Sequence, residues 1–313
     1  MKAYCAFTKL CNEPKKLLED NGIKLTYNDV VGKIPNGDEI TKLLEDYDIL
    51  IIGTSSKITA DLLKNIETPK IIATLSVGLD HIEKAVFDLP MVDVVNIKYA
   101  NALSVAEHIF ALILSLNKRI YESNHNVVNR QSKLNCCHER PDDISGKTLG
   151  LIGAGNITRE VIRIASAFDM KMICHTKNPQ NHKDLLKIGV EFTELDDVLK
   201  SSDIITLGIP LSAETQNLIS RDKIALMKPT ATFINAARTH VADTQALIEY
   251  ADRHDTFYVG LDIDLDEHEE LLAKYRKNVI TTHHTAGASK QAMFRMELEL
   301  AENIVKICKS RQH

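Results

Sequence analysis

The sequence predicts an α/β protein of two Rossmann-like or flavodoxin-like domains, each built on a parallel sheet, separated by a cleft. Three observations carry that reading. Short apolar or β-branched runs alternate with amphipathic segments along the chain, the rhythm of strand and crossover helix. A length of 313 residues with 44% hydrophobic residues can bury two cores without metals or disulfides. A strand, a glycine turn and a helix follow one another from Lys147, near mid-chain.

In order, the apolar runs fall at 49–53, 70–75, 92–96, 148–153, 171–175, 204–209, 231–235 and 257–262. Between the third and fourth lies a long helical pattern, 104–126, on which Val105, Ala106, Ile109, Leu112, Ile113 and Leu116 share one face. That face is wide enough for a domain or subunit junction. The polar, irregular stretch 129–145 reads as a loop or arm. No repeat, low-complexity tract or Pro/Gly/Ser linker marks a boundary, so the motifs must place it. They put one domain at 1–98 plus 286–313 and a second, inserted domain at 99–285.

Composition excludes several classes. With 38 Lys and Arg against 43 Asp and Glu, the net charge is −5, and no long run of one sign offers itself to nucleic acid or an anionic membrane. The longest apolar stretch, 109–116, falls far below the roughly 20 residues a membrane span needs. The opening MKAYCAFTKL has no apolar region behind its Lys, so a cytoplasmic protein is expected. Cysteines at 5, 11, 136, 137, 174 and 308 form no CxxC pair and suit a reducing compartment. Cys136, Cys137 and His138 cannot complete a four-ligand set, so no metal is expected.

The glycine turn reads Gly153-Ala154-Gly155-Asn156-Ile157-Thr158. Gly153 permits the tight turn and Gly155 a close backbone approach to a pyrophosphate. The helix opening at Asn156 and Ile157 offers N–H groups and its positive end to that anion. Thr158 replaces the third glycine, which loosens helix-to-sheet packing. Further on, Arg238, Glu267 and His284 each stand just past an apolar strand, where ligands bind in open α/β sheets. Brought together, they could move a hydride and a proton between a carbonyl and an alcohol. Arg offers a fixed fork to a carboxylate, His titrates near neutrality, and a carboxylate beside a His fixes its tautomer. Singly, each is an ordinary strand-end residue.

Taken together, these segments resemble the D-isomer-specific 2-hydroxyacid dehydrogenases, the family of glycerate, hydroxypyruvate, D-lactate and phosphoglycerate dehydrogenases, from Ile71 to Gly287. Ser76-Val77-Gly78 is similar to the turn whose amides hold the substrate carboxylate, and Ser104 to the start of the long interdomain helix near the nicotinamide. Asp196-Asp197, Pro210-Leu211, Glu214-Thr215, Met227-Lys228-Pro229 and Asn235-Ala236-Ala237-Arg238 follow its central stretch. The resemblance makes Arg238 the substrate-binding Arg, Glu267 the carboxylate paired to the catalytic His, and His284, rather than His283, that His. It implies cofactor contacts at Pro210, Thr215, Ala236, Asp262, His284 and Gly287. Thr239 stands where a glycine is usual, and His268 and His283 where prolines are usual.

The implied reaction is reduction of a small 2-oxoacid to a D-2-hydroxyacid, and its reverse, in a cleft that closes to exclude water. His284 exchanges the proton, held charged by Glu267. The strand ending at His175 is followed by Thr176 and Lys177 with no acid, although NAD users carry an Asp at the Thr176 position. NADP(H) is therefore expected over NAD(H). The family implies a homodimer through the long helix. Other readings on the same scaffold are a short phosphoglycerate or phosphite dehydrogenase and a cofactor-sensing corepressor.

Overall fold

A computed structural model describes residues 1–30, 34–131, 140–264 and 268–311. Glu267, Cys136, Cys137 and His138 therefore lie outside the described residues. The chain divides into two compact units, Met1–Asn101 with Lys290–His313, and Ala102–Ser289.

The first unit is a five-stranded parallel sheet of β1 (Lys2–Cys5), β2 (Lys24–Tyr27), β3 (Ile49–Ile52), β4 (Lys70–Thr74) and β5 (Val92–Val95), ordered β2-β1-β3-β4-β5. This is the flavodoxin-like order. Every residue of β3 and β4 is buried, as expected of parallel strands covered on both faces. The helices Asn12–Asp20 and Lys290–Ser310 supply Leu18, Ala292, Leu300, Ala301 and Ile304 to one face. Ile40 and Leu44, from the helix Asp38–Asp46, close the other.

The second unit is a seven-stranded parallel sheet of β6 (Thr148–Ile152), β7 (Lys171–His175), β8 (Val190–Phe192), β9 (Ile204–Leu207), β10 (Thr232–Asn235), β11 (Tyr258–Asp262) and β12 (Val279–Thr282). Its order is β12-β11-β10-β9-β6-β7-β8, with every pair parallel. The winding reverses between β6 and β9, which makes the turn after β6 a topological switch point.

The helix expected over 104–126 is two helices, Ala102–Asn117 and Ile120–Val128, because Arg119 adopts a left-handed conformation at φ 53°. The break is tied down on both sides. Asn117 Nδ2 donates to Ile113 O and to Thr232 Oγ1, and the buried Arg119 Nε donates to Glu122 Oε2 at 2.7 Å. The apolar face thought wide enough for a subunit junction is spent inside this unit. Val105, Ala106, Ile109, Leu112, Ile113 and Leu116 are buried in one core with Val161, Ile162 and Ala165. Gly260 admits the helix to the sheet, since a Cβ there would meet Leu112 Cβ at 3.2 Å and Ile234 Cδ1 at 2.7 Å. What the region leaves exposed is Ile120, Val127 and Val128 on the second, shorter helix.

Candidate active site

In the second unit the segments that the sequence singled out all leave the same edge of one sheet. The strands are parallel, so the loops after β6, β7, β9, β10, β11 and β12 emerge at their carboxyl ends.

After β6, Gly153 has φ +100°, and a Cβ there would meet Gly208 O at 2.5 Å, so only glycine fits. At Gly155 a Cβ would find only Gly208 O, at 3.7 Å, so the protein leaves this backbone open to approach. The helix Asn156–Ser166 begins there with no side-chain cap and no acid in its first turn. An unblocked helix start beside open glycine backbone suits a pyrophosphate, so these residues fit a dinucleotide. Thr158 does not loosen the packing as expected. It is buried, and its Oγ1 fills the space beside the Cα of Gly208.

Thr176 and Lys177 follow β7, where the Lys177 ammonium pairs with the exposed Glu214 carboxylate. The Thr215 hydroxyl donates to Pro210 O at 2.6 Å and accepts from Ser212 N at 2.8 Å, folding the loop after β9 into one rigid turn.

After β10, the fully buried Asn235 shapes the turn that carries Arg238: its Oδ1 accepts from Ala237 N and its Nδ2 donates to Arg238 O, with Ala236 buried between. Sequence reasoning gave Asn235 no role of its own. The Thr239 hydroxyl, at the position usual for glycine, donates to the backbone carbonyl of Asp264 at 3.2 Å and ties this turn to the loop after β11.

His284 follows β12 in a positive-φ conformation, φ 50°, which a residue with a Cβ adopts only when its surroundings hold it there. Asp262 does much of the holding. It is fully buried, its Oδ1 accepts from Thr285 N and the Thr282 hydroxyl, and its Oδ2 accepts from Ala286 N, each at 2.6–2.8 Å. Expected to contact the cofactor, the Asp262 carboxylate is turned toward this loop. The Thr282 hydroxyl spends its proton on Asp262, so it accepts from His108 Nε2, which lies 3.0 Å away and therefore carries a hydrogen. The Ser104 hydroxyl donates to Ala286 O, next to the half-buried Gly287.

The imidazole of His284 is itself engaged. Its Nδ1 lies 3.0 Å and 3.1 Å from the two oxygens of Asp264, a residue that no motif marked. The His284 hydrogen bond, and then the charges of His284, Arg238 and His240, hold the Asp264 carboxyl below its usual range. An ionised carboxylate can only accept, so Nδ1 carries a proton and Nε2 is left for other chemistry. The structure thus holds His284 against one carboxylate, whose pKa the charge of Arg238 also helps to lower. The only signal for Asp264 in the sequence is its place two residues past Asp262 at the same strand end.

In the first unit, the turn after β4 is fixed by a directed chain. The Ser76 hydroxyl donates to Gly78 O, so it accepts from Thr74 Oγ1, which in turn accepts from His81 Nε2. Asn96 Nδ2 donates to Val77 O, and Val77 keeps its side chain in solvent.

Fold and strand-end chemistry define the second unit as a dinucleotide-binding α/β domain with a histidine held against a carboxylate at its strand ends. Comparison with known proteins agrees. The NAD binding domain of the D-isomer specific 2-hydroxyacid dehydrogenases matches residues 110–286. A hydroxypyruvate reductase of Thermotoga maritima is 34% identical over 274 residues, 86% of this chain and 87% of that one. An acyclic imino acid reductase solved with NADPH and D-Arg is 28% identical, with a TM-score of 0.87 over 99% of this chain and 98% of that one. The D-lactate dehydrogenase of Aquifex aeolicus solved with NAD and lactic acid is 30% identical, with a TM-score of 0.80 over 100% and 95%. The chain belongs to the D-isomer specific 2-hydroxyacid dehydrogenase family.

Proposed function

We propose that this protein is an NAD(P)H-dependent oxidoreductase that reduces a small 2-oxoacid to a D-2-hydroxyacid and runs the reverse reaction. The observation that carries the reading is His284, its Nδ1 bound to a carboxylate and its Nε2 left to exchange a proton, on the same sheet edge as the glycine turn and Arg238. The names of the relatives, reductases of hydroxypyruvate and glyoxylate among them, support it.

In this reading the amides of Ser76, Val77 and Gly78 and the guanidinium of Arg238 bind the substrate carboxylate. Arg238 also polarises the C2 carbonyl. The nicotinamide, when bound, supplies the hydride. His284 Nε2 gives its proton to the oxygen on C2 during reduction and takes it back during oxidation, while Arg238 and Glu267 complete the catalytic set. Gly153, Gly155, Asn156 and Ile157 hold the pyrophosphate. Ser104, Pro210, Thr215, Ala236, Asp262 and Gly287 shape the nicotinamide side, and Thr176 and Lys177 meet the adenosine ribose, with NADP(H) preferred.

The enzyme works in the cytoplasm as a homodimer. Free thiols at Cys5, Cys11, Cys174 and Cys308 support a reducing compartment, and the exposed Ile120, Val127 and Val128 support self-association. Among the described residues no helix is long and apolar enough to cross a membrane.

Steady-state assay of glyoxylate, hydroxypyruvate, pyruvate and 3-phosphohydroxypyruvate with each nicotinamide cofactor tests the reading. A D-configured product from at least one unphosphorylated acid is expected. Failure of all four acids overturns the enzyme, and turnover of the phosphorylated one alone makes it a phosphoglycerate dehydrogenase. Light scattering near the monomer mass of 35.0 kDa at micromolar concentration overturns the dimer.

A further inference from the structure

We infer that Asp264 is a positioning residue of this site: its carboxylate takes the Nδ1–H of His284 and fixes Nε2 as the nitrogen that meets the substrate. The inference rests on the proposed function for its chemistry but on the geometry of this one unit for its substance. Both carboxylate oxygens lie within 3.1 Å of Nδ1, so the imidazole is held in the carboxylate fork rather than by a single contact. The Asp264 backbone is also anchored, because its carbonyl accepts from the Thr239 hydroxyl, one residue after Arg238. The turn that carries the Arg and the loop that holds the His are therefore one connected piece.

Asp264 also places a carboxylate charge beside the imidazole. Arg238 and His240, on the turn after β10, are the other groups that act to lower the Asp264 carboxyl pKa. Behind His284, the Asp262 carboxylate is occupied by Thr282 and the amides of Thr285 and Ala286, and His108 reaches it at 3.8 Å. An anion beside an imidazole favours its charged form, and Asp264→Asn takes that anion away. The Asp264 side chain is 65% exposed, so this influence weakens as salt rises.

Two substitutions separate geometry from charge. Asp264→Asn keeps an acceptor for Nδ1–H and removes the charge, whereas Asp264→Ala removes both. In the intact protein, reductive kcat/KM is expected to fall as pH rises and oxidative kcat/KM to fall as pH drops. Asp264→Asn is expected to move both limbs to lower pH by about one unit, the size of effect an adjacent opposite charge produces. Asp264→Glu restores the limbs at least in part. Nitrogen-15 NMR of histidine-labelled protein reads the tautomer directly, without turnover. Neutral His284 carries its proton on Nδ1 in the parent and in Asp264→Asn, and shifts toward the Nε2–H form in Asp264→Ala.

An unchanged tautomer in Asp264→Ala, or a uniform loss of rate at every pH in Asp264→Asn, overturns the inference. Glu267→Gln is the comparison arm: if it alone moves the limbs and the tautomer while the Asp264 variants do not, Glu267 is the partner. Should no 2-oxoacid turn over at all, the proposed function fails while the tautomer measurement still decides the role of Asp264.

Discussion

Thr158 Oγ1 occupies the space that a side chain on Gly208 would need. The missing third glycine of the turn motif is thus compensated on the opposite wall by a glycine that follows β9. Gly208→Ala is expected to cost about 1–3 kcal/mol, the range for overpacking a rigid contact. Thr158→Ala removes the colliding oxygen and leaves its Cβ 3.6 Å from the new methyl, so the double variant recovers most of the loss. Chemical denaturation of the four proteins measures the cycle. A Gly208→Ala variant as stable as the parent, or no recovery in the double, contradicts the packing argument.

How much of this was legible in the sequence depended on whether the cause was local. β3 and β4 announce themselves because parallel strands buried on both faces read as unbroken apolar runs. β2 and β8, at sheet edges, are short and partly exposed, and β1 is a four-residue mix of Lys, Ala, Tyr and Cys, so none carries that signal. The break at Arg119 was invisible because it depends on contacts from Asn117 to Thr232, far along the chain. Arg238 and His284 were singled out because a family motif surrounds each. Asp264 and Asn235 were missed because their roles arise only when neighbouring strand ends are side by side.

His284 carries the proton transfer in the proposed reaction. His284→Ala is therefore expected to lower turnover by about 10² to 10⁴ while leaving cofactor affinity nearly unchanged. His283, its exposed neighbour, is expected to tolerate Ala within a fewfold. Turnover and cofactor titration on both variants check this, and a large loss confined to His283→Ala reassigns the catalyst.

Arg238 is placed by Asn235, which bonds its carbonyl, and by a bond from its own Nη1 to Ala237 O at 2.9 Å. A lysine would keep the charge and lose the planar fork. Arg238→Lys should raise KM for the 2-oxoacid and lower kcat together. Steady-state kinetics like those of the parent would reduce Arg238 to a solvated strand-end residue.

Burial pushes the thiols of Cys5 and Cys174 up to about 12, and both side chains are fully enclosed. At pH 8 the thiolate is then on the order of one part in ten thousand. Neither should react with iodoacetamide in the folded protein, and both should react once denaturant is added. Peptide mapping by mass spectrometry resolves the two positions. Rapid native labelling of either would show that its surroundings open readily.

The proposed preference for NADP(H) turns on Lys177. Its partner Glu214 is 73% exposed and Lys177 itself 63%, so their ion pair contributes at most about 1 kcal/mol. A 2′-phosphate near Thr176 and Lys177 would gain a charge-assisted hydrogen bond of about 1.5–3 kcal/mol, enough to draw the ammonium from Glu214. The Glu214 carboxylate would remain nearby as a repulsive charge. NADPH is therefore expected to exceed NADH in kcat/KM by at least about tenfold. Thr176→Asp with Lys177→Ala should invert the order, because an acid there accepts from the ribose hydroxyls of NADH and repels the phosphate. Glu214→Gln should raise kcat/KM for NADPH a fewfold and leave NADH almost unmoved, since only the phosphorylated cofactor meets that charge. Equal or better use of NADH by the unmodified protein would show that the lost acid had not been replaced by a phosphate site.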